Sequence, residues 1–138
     1  MPVADTELLF ALNPLDKKHG KAMKSLSLKG LKIPDTAIFE FQIVLRARGR
    51  KAKEVASAMR ALKQICESRK LKEVCTTEAT LFIRQTEIEE KYGLSYFDSL
   101  IAASAFKVDS AVVSDDSAFD RVQGLKRIRW DDTYIKLA

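Results

Sequence analysis

Asp5, Glu40, Asp98 and Asp116 stand at positions where the local pattern is apolar. Asp5 ends the short apolar start Val3-Ala4. Glu40 interrupts the most apolar helical stretch in the chain, flanked by Phe39, Phe41 and Ile43. Asp98 opens a small-residue stretch at 100–106, and Asp116 follows the run Ala111-Val112-Val113. An unpaired buried carboxylate costs several kcal/mol, so each acid calls for a cation, a metal or an opening to solvent. Oxygen ligands without His or Cys partners suit a hard ion, Mg²⁺ or Mn²⁺, rather than zinc. Such an ion among carboxylates commonly serves phosphodiester hydrolysis. The one histidine, His19, lies in a Lys-rich segment and reads as surface.

Each acid also has a bland reading. Asp98 fits a helix N-cap, as do Asp115 and Asp116 for the turn after their strand, and Asp5 fits an exposed strand end. Glu40 fits a helix face open to solvent, although its neighbours are apolar on most sides.

The elements that must position these groups follow from periodicity. Val3-Ala4 leads into a helix through Leu8, Leu9 and Leu12. Asp16 reads as the cap of a Lys-rich helix to about Leu28. Leu31-Lys-Ile33-Pro34 is extended, because proline disfavours helix in the residue before it. Asp35 or Thr36 caps the apolar helix at 38–45, which Gly49 punctuates. Val55, Met59, Leu62, Ile65 and Cys66 recur at helical spacing to about Lys70. Val74-Cys75-Thr76 reads as a short strand or turn, and a helix from Glu78 to Tyr92 stops at Gly93. Ala111-Val112-Val113 reads as a buried strand and Arg127-Ile128-Arg129-Trp130 as a half-buried one. Short strands alternating with helices predict an α/β domain with a mostly parallel sheet.

Composition narrows the class. The 138 residues suffice for one domain, and 46% hydrophobic with 31% charged residues is an ordinary globular mix. No apolar run reaches the length of a membrane span, and Met1-Pro2-Val3-Ala4-Asp5 lacks a signal-peptide pattern. A cytoplasmic protein is expected. Two cysteines, Cys66 and Cys75, do not make a disulfide scaffold. Cys66 falls on an apolar helix face and reads as core. The formal charge of +5 is uneven: residues 1–75 hold 16 Lys/Arg against 8 Asp/Glu, and residues 76–138 hold 8 against 11. The densest basic stretch, Arg46, Arg48, Arg50 and Lys51, lacks aromatics, so it suits an RNA backbone rather than bases. It equally fits solvated surface.

In these motifs the chain resembles PIN domains, the fold of the VapC-type toxin ribonucleases. The resemblance rests on Val-Ala-Asp5-Thr-Glu-Leu-Leu, Thr36-Ala-Ile-Phe-Glu40, Gly93-Leu-Ser-Tyr-Phe-Asp98-Ser-Leu-Ile-Ala-Ala-Ser-Ala and Val113-Ser114-Asp115-Asp116-Ser-Ala-Phe119. It implies a single PIN-like domain over residues 1–138, a three-layer α/β/α sandwich with a short central, mostly parallel sheet. It makes Asp5, Glu40, Asp98 and Asp116 the Mg²⁺ or Mn²⁺ ligands, with Ser114 supplying a hydroxyl. Asp115 falls at the variable position. Glu7 departs from the usual residue there, and reads as favourable first-turn helix charge or as a fifth acid. The implied reaction is in-line hydrolysis of RNA, leaving 5′-phosphate and 3′-hydroxyl ends. A homodimer and a cognate antitoxin that enters the acidic pocket are the implied partners. The alternative is a PIN-fold RNA-binding or assembly module with little or no cleavage. A receiver-like phosphoryl-transfer domain is disfavoured, because Asp5-Thr-Glu7 is not an Asp-x-Asp motif.

Overall fold

The computed structural model describes residues 1–134, so the expected domain of 1–138 extends four residues past them. The sequence's short apolar runs become five strands: β1 (Val3–Ala4), β2 (Lys32–Pro34), β3 (Lys72–Val74), β4 (Ala111–Val113) and β5 (Lys126–Ile128). They form one sheet in the order β3-β2-β1-β4-β5. Every pairing is parallel, with Val3 opposite Val112 and Ala4 opposite Val113 in the centre. The expected α/β fold with a short parallel sheet is the observed one. Val3, Ala4, Ile33, Val112 and Val113 are fully buried, as strands covered on both faces must be.

The helices are α1 (Thr6–Ala11), α2 (His19–Ser25), α3 (Asp35–Ala47), α4 (Ala52–Ser68), α5 (Ala79–Tyr92), α6 (Tyr96–Val108) and α7 (Trp130–Tyr134), with a 3₁₀ turn at Ser117–Arg121. After β1 the chain steps outward to β2 and β3; after β4 it steps the other way to β5. Right-handed crossovers then send the two sets of connections to opposite faces. The reversal opens a crevice between the carboxyl ends of β1 and β4, the place where open parallel sheets receive ligands.

The small-residue stretch is the centre of the packing. All seven residues from Ser99 to Ala105 on α6 are buried, and α6 lies against α5, α3 and β4. Gly93 stops α5 with φ +66°, its N–H donating to the Glu89 carbonyl. That left-handed conformation is what glycine supplies at a helix end.

Several boundaries differ from expectation for local reasons. Asp16 accepts the Lys18 N–H at 2.8 Å, which closes a turn instead of starting a helix, so α2 begins at His19. Pro34, not Asp35 or Thr36, occupies the cap position of α3. Ser95 caps α6, accepting the Asp98 N–H at 3.2 Å, so Asp98 is not the cap. The last strand ends at Ile128, and Trp130 starts a helix rather than finishing the strand. Its N–H donates to Asp115 Oδ1 at 2.9 Å, a side-chain partner that periodicity does not reveal. Cys66 is buried core as expected, Cys75 is exposed, and both are free thiols. Among the described residues, no helix is long and apolar enough to cross a membrane.

Candidate active site

Asp5 is the first residue past β1, its own N–H donating to the Val113 carbonyl at 3.1 Å. The backbone thus carries its side chain into the crevice, where it is only 3% exposed. The reading of Asp5 as a surface strand end is therefore incorrect. Thr6 N–H donates to Asp5 Oδ1 at 2.6 Å, and Ser114 Oγ donates to Asp5 Oδ2 at 2.7 Å. Both donors are neutral, and burial outweighs them. Loss of hydration pushes the Asp5 carboxyl up to about 7; the Ser114 bond opposes this, and the charges of Asp98 and Glu7 add to it.

Glu40 reaches the same rim from the second turn of α3. Thr6 Oγ1 donates to Glu40 Oε1, so one residue serves two acids, its N–H on Asp5 and its hydroxyl on Glu40. Glu40 is half-buried and its carboxyl is raised, first by burial, against the Thr6 bond, and then by the charges of Asp98 and Glu7. Asp98, in the first turn of α6, is also half-buried and raised by burial and by the charge of Asp116. Arg121 acts weakly in the opposite sense. Ser114 is fully buried and also accepts the Asp116 N–H at 3.0 Å, linking Asp116 to Asp5 through one hydroxyl.

The four acids expected from the sequence therefore share one electrostatic neighbourhood at the β1/β4 crevice. Glu7 belongs to it as well. It sits exposed in the first turn of α1, and its charge acts on Asp5, Glu40 and Asp98. Asp115 is engaged elsewhere, on the Trp130 N–H. Asp116 keeps its bland role too, because Oδ1 accepts the Ala118 N–H at 2.9 Å and caps the 3₁₀ turn. Among the described residues none of the four acids forms an ion pair. Oxygen-only donors, of which Asp5, Glu40 and Asp98 are held above their usual range by burial and neighbouring acids, are the donor set a hard divalent cation requires. Among the described residues no three acids, His or Cys stand close enough to enclose an ion as they are.

Sequence patterns did not reveal Thr6 as a donor to Glu40, nor the second polar centre at Asp35. Asp35 Oδ1 accepts the Thr36 N–H at 3.0 Å and the Thr76 hydroxyl at 2.6 Å; Oδ2 accepts the N–H groups of Thr76 and Thr77, each at 3.0 Å. Burial opposes its charge, but these bonds win and hold the carboxyl below its usual range. Ser104 Oγ lies between the Thr36 and Thr76 hydroxyls, at 2.7 and 2.8 Å, which ties this centre to α6.

The basic stretch lies at the end of α3 and in the turn to α4. Arg46 Nε donates to Gln42 Oε1, Arg50 pairs with Glu54 at 3.3 Å, and the Lys51 N–H donates to Glu54 Oε1. Arg48 stacks over the Phe10 ring, 4.8 Å from its centroid. Arg48, Arg50 and His19 line a largely apolar groove of about 760 Å³ beside α1 and α4.

The PIN domain family model matches residues 3–125. No curated protein matches the chain significantly. Among solved structures, VapBC2 from Rickettsia felis bound to a DNA fragment from its promoter has a similar fold, with a TM-score of 0.65, 20% identity, and coverage of 94% of this chain and 98% of that one. PAE2754 from Pyrobaculum aerophilum gives 0.63 at 21% identity, covering 98% and 93%. FitAcB from Neisseria gonorrhoeae gives 0.63 at 17% identity, covering 94% and 98%. The family match over most of the chain, and a parallel sheet that opens on an acidic crevice, assign this chain to the PIN domain family.

Proposed function

We propose that this protein is a divalent-metal-dependent endoribonuclease and the toxin of a toxin–antitoxin pair. PIN domains are generally nucleases, which sets the reaction class as hydrolysis. The observation that carries the finer reading is the buried Asp5 at the β1/β4 crevice, without an ion-pair partner among the described residues, under the charges of Asp98 and Glu7 and joined to Glu40 through Thr6. Asp5, Glu40, Asp98 and Asp116 would hold Mg²⁺ or Mn²⁺, which when bound supplies Lewis acidity toward a phosphodiester. Thr6 and Ser114 fix the Asp5 and Glu40 carboxylates from behind, and hydrogen bonds behind a ligand set its orientation.

A cognate antitoxin fits both the VapBC2 neighbour and the largely apolar groove beside α1 and α4. A homodimer fits the exposed Phe39 and Ile43 on α3 and Phe82 and Ile83 on α5. Two free thiols suit a reducing cytoplasm.

The test is cleavage of single-stranded and structured RNA with Mg²⁺ or Mn²⁺, with and without chelator, for the wild type, Asp98→Asn and Asp116→Asn. Cleavage that stops with chelator and in both variants is the expected result. Activity that survives both substitutions removes the metal reading, and binding without cleavage under either ion leaves an RNA-binding module.

A further inference from the structure

The sheet is electrically polar along its strands. Asp5 and Asp35 directly follow β1 and β2, whereas β2, β3 and β5 each begin on a lysine: Lys32, Lys72 and Lys126. At that basic rim lies a groove of about 350 Å³ between the turn entering β2 and the turn entering β3. Five cations line it: Lys29, Lys32, Arg69, Lys70 and Lys72. Its described lining residues include neither an acid nor an aromatic.

Three features distinguish this groove from ordinary basic surface. Among the described residues none of its five cations forms an ion pair, in contrast to Arg50 with Glu54 and Lys63 with Glu67 on the nearby helix. Lys32 and Lys72 are register partners on adjacent parallel strands, so their backbones run about 4.8 Å apart and their like charges stand side by side. Concave packing of one charge sign focuses the potential and concentrates counter-ions.

We propose that this groove is a second nucleic-acid contact, a phosphate-backbone site that holds RNA on the sheet rim opposite the acidic crevice. The inference rests on the ribonuclease reading above. An acidic crevice repels a phosphate chain, so affinity for the polymer must come from another part of the surface. Four of the five cations are lysines, compact point charges that bind phosphate oxygens without a fixed hydrogen-bond geometry, as sequence-independent backbone binding requires. Without aromatic side chains the site grips backbone and reads no bases. Three-residue strands separate the two rims by about 10 Å, and the crevice lies two strands in from the β3 edge, so an RNA held in the groove can turn around that edge to reach it.

The experiment measures binding of the full chain to labelled single-stranded RNA of about 20 nucleotides, with chelator present, over a range of salt concentrations. The triple substitution Lys32→Gln, Lys70→Gln and Lys72→Gln should weaken affinity about tenfold or more at low salt, and lower the log–log salt slope by about 2. The matching Lys→Arg triple should keep both the affinity and the slope, and far-ultraviolet circular dichroism confirms that each variant is folded. Unchanged affinity and slope in the Gln triple overturn the proposal. So does a groove whose substitution affects only binding of polyglutamate, which would mark an acidic-protein site. Wild-type cleavage assays report separately on the nuclease reading: absence of cleavage with the slope still falling retires that reading and keeps the groove.

Discussion

Ser114 Oγ donates to Asp5 Oδ2 at 2.7 Å, joining the carboxyl ends of β4 and β1 across 109 positions of sequence. The same oxygen accepts the Asp116 N–H, so one buried hydroxyl orders two acids. Ser114→Ala should lower stability by about 1–2 kcal/mol, because the Asp116 N–H loses its acceptor while Asp5 loses a donor. Chemical denaturation checks this. Ser114→Thr, which retains the hydroxyl, should recover part of the loss, and an Ala variant as stable as wild type would remove the hydroxyl from the design.

The elevated Asp5 carboxyl makes stability depend on pH with a defined sign. Its pKa is 3.8 in the reference state and about 7 in the fold. Between these values the folded chain holds a proton that the unfolded chain has released. Stability therefore falls as pH rises from about 4 to about 7, and levels off above. With chelator present, Asp5→Asn should be roughly 2–4 kcal/mol more stable than wild type near pH 8. The gain should vanish near pH 4, as urea melts at the two pH values would show. Mg²⁺ should raise the wild-type melting temperature and leave Asp5→Asn unmoved.

Asp35 should behave in the opposite way. Its carboxylate collects N–H groups from Thr36, Thr76 and Thr77 and the Thr76 hydroxyl. Asp35→Ala leaves these donors without an acceptor and should cost about 2–4 kcal/mol. Because its pKa is depressed in the fold, its contribution is present above the usual carboxylate range and fades as pH falls through the lowered value. Hydrogen exchange of the Thr76 and Thr77 amides is the direct readout, and exchange unchanged by the substitution would contradict the clamp.

The proposed homodimer has a compact test. Phe39 is 54% exposed on α3 and lies edge-on to Phe97, with a centroid distance of 6.2 Å. Phe39→Glu together with Ile43→Glu should convert a dimer to a monomer in sedimentation velocity without loss of melting temperature. A wild type that is monomeric at high micromolar concentration would show that this face serves another purpose.

The alternation of short apolar runs with helical periodicity foretold the parallel sheet, and it foretold Asp5 and Asp116 at the carboxyl ends of strands. Asp98 was legible as a misplaced acid, but its cap is Ser95, because Ser, Asp and Asn compete for cap positions within a few residues of one another. The strand expected at 127–130 gave way one residue before Trp130, whose N–H is taken by a side chain from another strand's end. Thr6 illustrates the same limit. Nothing local distinguishes a threonine that bonds Glu40, 34 residues away, from one that faces solvent.

The sequence by itself determined which residues could do chemistry and in what order the elements run, because residue type and periodicity are local properties. It also placed the excess of positive charge in the first half. Only the tertiary structure decided which charges are free. It paired Arg50 with Glu54, stacked Arg48 on Phe10, and left Lys29, Lys32, Arg69, Lys70 and Lys72 around one groove without an ion pair among the described residues. It likewise set the Asp5 carboxyl near neutrality, since burial and the charge of Asp98 exist only once β1, β4 and α6 have met.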